Sequence, residues 1–207
     1  ILYLEQEKLI IAQENKIQMS DLSLGLFPAL LFVTKHDGKG AQVAACACLH
    51  FMACHPANLN IMSQHELGVL DGLIYVVSTN RGDARSNACS AICHIASATD
   101  NRVKLANSEY QLLPLLVRVL KEDEGKARVF ACSTIGFLAV AHENQKYMAS
   151  YELGLVVELV RLMKSDTGKT REYCCSVTRS LSSALCNKVY MASEKLGLIT
   201  ALIGVLY

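Results

Sequence analysis

Residues 144–186 read NQKYMASYELGLVVELVRLMKSDTGKTREYCCSVTRSLSSALC, and the same order of signals recurs along the chain. An asparagine returns every 43 residues, without insertion or deletion, at Asn15, Asn58, Asn101, Asn144 and Asn187. Ten residues after each asparagine comes Gly25, Gly68, Gln111, Gly154 or Gly197. A fixed period between about 20 and 50 residues is typical of repeat arrays, in which each unit packs only on its neighbours.

Each repeat is predicted to hold one short and two longer helices. Asn144 is expected to cap a short first helix, NQKYMASY, by accepting backbone N–H bonds. Gly154 then permits a sharp turn into the second helix, LVVELVRLMK. A polar turn, SDTGK, leads to a third helix rich in small residues, TREYCCSVTRSLSSA. Helical spacing places Leu159, Leu162 and Met163 on one apolar face of the second helix.

Four of the nine cysteines occupy one column of the repeat, at Cys46, Cys89, Cys132 and Cys175. Packed helices lie about 8–10 Å apart, whereas a disulfide needs Cα atoms closer than about 7 Å. The cysteines are therefore predicted to be free, buried and apolar in character. Free thiols in this number favour a reducing compartment inside the cell, and the cytoplasm fits best.

Cysteine and histidine pairs were weighed as chemistry. Cys46 and His50 have the spacing of a nucleophile and its base, but no orienting carboxylate is near them in the sequence. His50 and Cys54 share a helix face, yet two ligands do not make a zinc site, which takes three or four. The sequence therefore predicts a protein that is not an enzyme and has no metal and no cofactor.

Charge and hydropathy exclude two further classes of partner. The formal net charge is +1, so the chain lacks the positive field that dominates nucleic-acid binding. The longest low-charge run, residues 41–57, holds Gln42, His50 and His55, so it is predicted to be a buried helix and not a membrane span. Neither nucleic-acid binding nor direct membrane insertion is expected. The chain does not begin with Met, which favours a piece of a longer protein.

This unit of about 43 residues resembles the armadillo repeat. The resemblance lies in the starting asparagine, the helix-breaking glycine, the second helix and the Asp/Gly turn into the third helix. It implies an all-α fold, a right-handed α-solenoid of three-helix repeats, with the related HEAT repeat as the second choice. The predicted repeats span 15–57, 58–100, 101–143, 144–186 and, in part, 187–207. Residues 1–14 are predicted to end a preceding repeat, with Leu9 in phase with Met52.

Well-known armadillo proteins bind extended peptides along their third helices, through a tryptophan and an asparagine four residues apart in successive repeats. In this chain the tryptophan column holds Ala47, Ser90, Ser133 and Ser176, and the asparagine column holds Phe51, His94, Phe137 and Ser180. The peptide-clamping ladder is therefore missing. A groove of small residues with projecting rings suits a helix, an extended segment or a neighbouring subunit instead.

A second surface is indicated by low charge. Between Ala41 and Asn80 only Glu66 and Asp71 are charged, and Tyr75 stands in the column that holds Arg161 two repeats later. Exposed apolar patches mark interaction surfaces. The two surfaces remain open alternatives, and together they predict seven partner-binding residues: Phe51, Tyr75, Ser90, His94, Ser133, Phe137 and Ser176.

The function predicted from the sequence is a non-catalytic scaffold or adaptor for protein–protein interaction within a larger assembly. One alternative is the substrate-recognition array of a ubiquitin ligase whose catalytic module lies outside this chain. Another is a peptide or cargo carrier with a modified groove. The column of Arg85, Arg128 and Arg171 is predicted to hold neighbouring repeats together and not to bind an acidic ligand.

Overall fold

The computed structural model describes residues 13–205, which form helices and no β-strand. The chain divides into a first compact unit that ends at Asn101 and a second that begins at Arg102. None of the described helices is both long enough and apolar enough to cross a membrane. The predicted end of a preceding repeat, with Leu9, lies outside the described residues.

The first unit contains two repeats with the same helix order: a short helix, a single 3-10 turn and two longer helices. Its helices are α1 (Gln13–Met19), α2 (Leu26–His36), α3 (Lys39–Ala53), α4 (Pro56–Met62), α5 (Val69–Thr79) and α6 (Gly82–Ser97). The third helices α3 and α6 lie side by side, and α2 packs on both α3 and α5. The all-α repeat array predicted from the sequence is confirmed.

The second unit repeats the pattern, with a final short helix and second helix at its end. Its helices are α7 (Asn101–Ala106), α8 (Leu112–Glu122), α9 (Lys126–Val140), α10 (His142–Met148), α11 (Leu155–Ser165), α12 (Gly168–Ser182), α13 (Leu185–Met191) and α14 (Leu198–Val205). The third helices α9 and α12 pack together, and α11 packs on α12 and α14. The apolar face predicted for the second helix, Leu159, Leu162 and Met163, is buried.

The turn before each second helix requires a left-handed backbone conformation. Gly154 has φ 68° and ψ 8°, and the glycines at the same position in the other repeats are alike. In the third repeat Gln111 takes this position with φ 48°, and it is the only described non-glycine residue with a positive φ. L-residues other than glycine adopt this conformation at a cost of about 1–2 kcal/mol.

We expect Gly154→Ala to lower the free energy of unfolding by about 1 kcal/mol, because alanine resists the left-handed conformation. A Cβ at Gly154 would meet no atom within 4 Å, so the loss reports the backbone alone. Gly204→Ala is the matched control, since Gly204 lies within α14 and its Cβ would also meet nothing within 4 Å. Urea unfolding should show lower stability for the first variant and equal or higher stability for the second.

The repeated asparagine does not cap the first helix, so that prediction was wrong. Asn144 is the third residue of α10 and is buried. Its Nδ2 donates to the carbonyl oxygens of Leu138, at 2.9 Å, and Arg102, at 3.0 Å. The last carbonyls of a helix have no partner within that helix. The asparagine satisfies one such carbonyl, at the end of α9, and also binds the first helix of the preceding repeat.

The same pair of hydrogen bonds recurs at Asn58, Asn101 and Asn187. In each case one acceptor lies six residues earlier, near the end of a third helix. The other lies 42 residues earlier, in the preceding first helix. We call these four residues the asparagine staples, because each joins three helices.

Candidate protein-interaction surface

In the first unit, three aromatic rings gather where α3 and α6 lie side by side. Phe51 and His94, both predicted from the sequence, are half-buried on α3 and α6. His50 lies between them, with its ring centre 5.0 Å from that of Phe51 and 5.4 Å from that of His94. The structure therefore brings two of the predicted residues into one cluster through a histidine that was not predicted to bind a partner.

Ser90 does not belong to an accessible surface. Its side chain is only 2% exposed on α6, because the residue faces the packed side of the helix. A partner has no direct access to it in this structure. Periodicity placed Ser90 in the same column as Ser133 and Ser176, but burial differs between repeats.

In the second unit, Ser133 and Phe137 on α9 and Ser176 on α12 are half-buried. The guanidinium carbon of Arg102 lies 5.9 Å from the centre of the Phe137 ring, within the range of a cation–π contact. Half-exposed small residues beside a projecting ring leave room for a side chain from another molecule. We define the third-helix surface as Phe51 and His94 in the first unit and Ser133, Phe137 and Ser176 in the second.

The cysteines form an inert seam between third helices. All nine are free, and Cys46, Cys89 and Cys132 are fully buried. Burial raises the pKa of Cys46 to about 12, and the neighbouring thiol of Cys48 adds to the effect. A protonated thiol is not a nucleophile. The pairing of Cys46 with His50 therefore has no catalytic meaning at neutral pH.

The column of Cys175 is a partial exception to this burial. Cys175 itself is half-buried, and the adjacent Cys174 is fully buried in its place. A hydrogen bond to Cys132, together with burial, raises the pKa of Cys174. The small-residue contact between α9 and α12 is therefore made by Cys132 and Cys174.

A second surface lies on the second helices of the first unit. Tyr75 on α5 is 40% exposed, as the low charge of this region predicted. Phe32 on α2 is 62% exposed and was missed, although it precedes Tyr75 by one period of 43 residues. Because α2 packs on α5, both rings belong to one face of the first unit. We call Phe32 and Tyr75 the second-helix surface.

The arginine column has the structural role that the sequence favoured. Arg171 Nε donates to the backbone oxygen of Asp166 at 2.8 Å, and Arg85 Nε donates in the same way to Asn80 at 2.6 Å. Arg128 pairs with the Asp166 carboxylate at 2.9 Å. Burial works to raise the pKa of Asp166, but hydrogen bonds from Arg128 and Thr167 outweigh it and lower that pKa.

Three potential metal ligands converge in the first unit, where the sequence indicated only two. His50, Cys54 and His94 are half-buried, and their ligand atoms lie within 4.8 Å of one another. The expectation of no metal site rested on His50 and Cys54 alone. The third residue, His94, comes from the next repeat along the chain.

Solved structures with this arrangement of repeats are engineered proteins. A designed armadillo repeat protein in complex with the peptide (KR)4 matches with a TM-score of 0.81, and 98% of this chain covers 82% of it at 18% identity. Computationally designed armadillo repeat proteins for modular peptide recognition match with a TM-score of 0.83, 97% and 82% coverage and 18% identity. This chain has the armadillo repeat fold. A further engineered protein matches with a TM-score of 0.83 at 18% identity, covering 98% of this chain and 81% of its own.

The resemblance of this armadillo-like array to other proteins is one of fold. No family profile and no curated protein matches the sequence. The third-helix surface also differs from the pattern of peptide-binding armadillo proteins, since Phe51, His94 and Phe137 stand where those proteins place asparagine.

Proposed function

We propose that this armadillo-like array is a non-catalytic scaffold that binds a partner protein along its third-helix surface. The observation that supports this most directly is the fold shared with designed armadillo proteins, one of which was solved with a bound peptide. The half-buried rings of Phe51 and Phe137 supply apolar contacts where such proteins are expected to use an asparagine clamp. The partner segment is therefore held through its side chains more than through its backbone.

The size of the contact follows from energetics. Burying one large apolar side chain contributes about 1.5–3 kcal/mol, and a micromolar complex needs about 8 kcal/mol. One ring cluster is too small for this, so the partner must contact more than one repeat. An extended segment or a long helix meets that requirement.

The charge of the third helices favours an apolar or acidic segment. Their acidic residues are Asp83 and Glu172, and their basic residues are Lys39, Arg85, Lys126, Arg128, Lys169, Arg171 and Arg179. A strongly basic peptide such as (KR)4 would meet mostly like charge. We therefore expect this chain to differ in partner preference from the designed protein that carries that peptide.

We expect the double variant Ser133→Arg and Ser176→Arg to lose its partner, because two long cations then fill the space beside Phe137. Both serines are half-buried, so the substitutions point at the proposed contact. The partner is measured by co-purification from the native source with quantitative mass spectrometry, as a stoichiometric protein. Ser165→Arg with Ser193→Arg is the matched control, since both of these serines are exposed away from the third helices.

A third variant separates the two surfaces. Phe32→Glu with Tyr75→Glu places charge on the second-helix surface without touching the third helices. Loss of the partner in this variant alone would move the contact to the second-helix surface and contradict the proposal. Circular dichroism and thermal unfolding of every variant show whether a lost partner reflects a lost fold.

The same surface serves the two alternatives raised by the sequence. The substrate-recognition array of a ubiquitin ligase and a cargo carrier both need a partner segment held along the repeats. They differ in what else is attached to the array. Identification of the stoichiometric partner distinguishes them from an adaptor within a stable assembly.

A further inference from the structure

Two histidines and a cysteine from adjacent third helices meet at one point of the first unit. His50 lies in the last turn of α3, Cys54 follows directly after its end, and His94 lies in the last turn of α6. Cys54 Sγ is 3.5 Å from His94 Nε2 and 4.0 Å from the ring nitrogens of His50. The two histidine rings are 5.4 Å apart at their centres.

These separations match those between ligands of a tetrahedral zinc ion. Bonds of about 2.3 Å to sulfur and about 2.0–2.1 Å to nitrogen place the sulfur and a nitrogen about 3.6 Å apart. The distance from Cys54 to His94 agrees with this value, and the distance from Cys54 to His50 exceeds it by a few tenths of an ångström. A small side-chain rotation closes that difference.

The backbone beneath the three side chains is fixed by two asparagine staples. Asn58 binds the carbonyl oxygen of Met52, which lies between His50 and Cys54 in the chain. Asn101 binds the carbonyl oxygen of Ile95, the residue after His94. The two ligand-bearing helix ends are therefore held in place without a metal, and preorganised ligands lose little entropy on binding.

The protonation states suit a metal with a nitrogen and sulfur preference. Burial, with contributions from His94 and Lys16, lowers the pKa of His50 to about 4, and burial and Lys16 lower the pKa of His94. Both imidazoles are therefore neutral at neutral pH and offer a lone pair. Burial raises the pKa of the Cys54 thiol. A coordinating metal ion removes that proton itself.

The positive charge of Lys16 limits which ion fits. Lys16 on α1 is buried and acts on all three ligands. It opposes a hard cation held by charge alone, such as Ca²⁺ or Mg²⁺, which would also need oxygen ligands. The ion must gain its affinity from bonding to thiolate and imidazole, which is the preference of zinc and its neighbours among transition metals.

We propose that His50, Cys54 and His94 bind one thiophilic transition-metal ion of the zinc class, with water in the fourth coordination position. Three protein ligands and an open position distinguish this site from a closed structural zinc site with four. The site lies beside Phe51, at the edge of the third-helix surface. It joins two successive repeats, so the bound ion adds a cross-link between α3 and α6.

The test uses the purified, reduced protein, stripped of metal with a chelator and titrated with Co²⁺ in the absence of oxygen. We expect one equivalent of Co²⁺ to bind, with a thiolate charge-transfer band in the near ultraviolet and strong visible bands of tetrahedral cobalt. Zn²⁺ should abolish both. Cys54→Ser should remove the charge-transfer band, whereas the matched control Cys186→Ser should retain it, because Cys186 is exposed and distant in sequence from the site.

A second variant keeps the result clear if Cys54→Ser folds poorly. His94→Gln removes a ligand from the other helix, and we expect a loss of Zn²⁺ affinity greater than the about 10–100-fold caused by losing an outer hydrogen-bond partner of a metal ligand. Zn²⁺ should raise the melting temperature of the wild type and of Cys186→Ser, but not of Cys54→Ser. The proposal is overturned if the wild type shows no charge-transfer band, or if the band survives in Cys54→Ser.

Discussion

Replacement of Asn58 by alanine is expected to lower the free energy of unfolding by about 3 kcal/mol. The side chain is fully buried, and its Nδ2 donates to Lys16 and Met52 at 2.9 Å while its Oδ1 accepts from Ser20 Oγ at 2.8 Å. A buried polar group left without its partner costs about 1–3 kcal/mol. Two carbonyls and a hydroxyl lose a partner here, so the cost lies at the upper end of that range or slightly above it.

The control is Asn60→Ala, two residues away on α4, where the side chain is exposed. Its effect should lie within about 0.5 kcal/mol of zero. Asn58→Asp provides a sharper test, because aspartate caps a helix as well as asparagine does but cannot donate to two carbonyls. A staple predicts that Asn58→Asp destabilises at least as much as alanine. Wild-type stability in Asn58→Asp, measured by urea unfolding, would restore the capping role.

Replacement of Arg161 by methionine is expected to destabilise the second unit by about 3 kcal/mol. Arg161 Nε donates to Glu158 Oε1 at 2.8 Å, and its Nη2 donates to the same oxygen and to the backbone oxygen of Leu120. The Glu158 side chain is only 5% exposed, whereas that of Arg161 is 45% exposed. Removing one partner of a buried pair leaves an uncompensated charge, at a cost of about 3–5 kcal/mol. The partial exposure of Arg161 reduces that figure.

An exposed pair of the same spacing supplies the control. Lys169 and Glu172 are three residues apart and 2.9 Å from each other, with side chains 67% and 63% exposed. Lys169→Met should leave stability unchanged within error, because water screens exposed pairs. The double variant Glu158→Gln with Arg161→Met should recover part of the loss, since no charge then remains buried. Equal effects of Arg161→Met and Lys169→Met would contradict the burial argument.

Periodicity predicted most of the architecture from the sequence. The 43-residue spacing placed the repeats, and the turns at Gly154 and its equivalents follow from a backbone that glycine tolerates best. The apolar faces of the second helices also follow from local spacing. These features depend on residues close together in the chain, which is why one sequence was enough to find them.

The surface residues were predicted less completely. Phe51, His94, Ser133, Phe137 and Ser176 are half-buried and Tyr75 is exposed, but Ser90 is buried on α6. A column of a repeat shares backbone geometry, yet the burial of each member depends on the side chains packed against it. Phe32, in contrast, was within reach of sequence reasoning, because it shares the column of Tyr75.

The sequence by itself determined an all-α array of 43-residue repeats with free cysteines between its third helices and no tryptophan–asparagine ladder. Only the tertiary structure decided what the repeated asparagine does, because spacing does not say whether a side chain donates or accepts. Only the tertiary structure brought His94 to Cys54, 40 residues away. Periodicity aligned His94 with Phe51, and the contact arises because α3 and α6 lie side by side, a relation between helices that no local pattern contains.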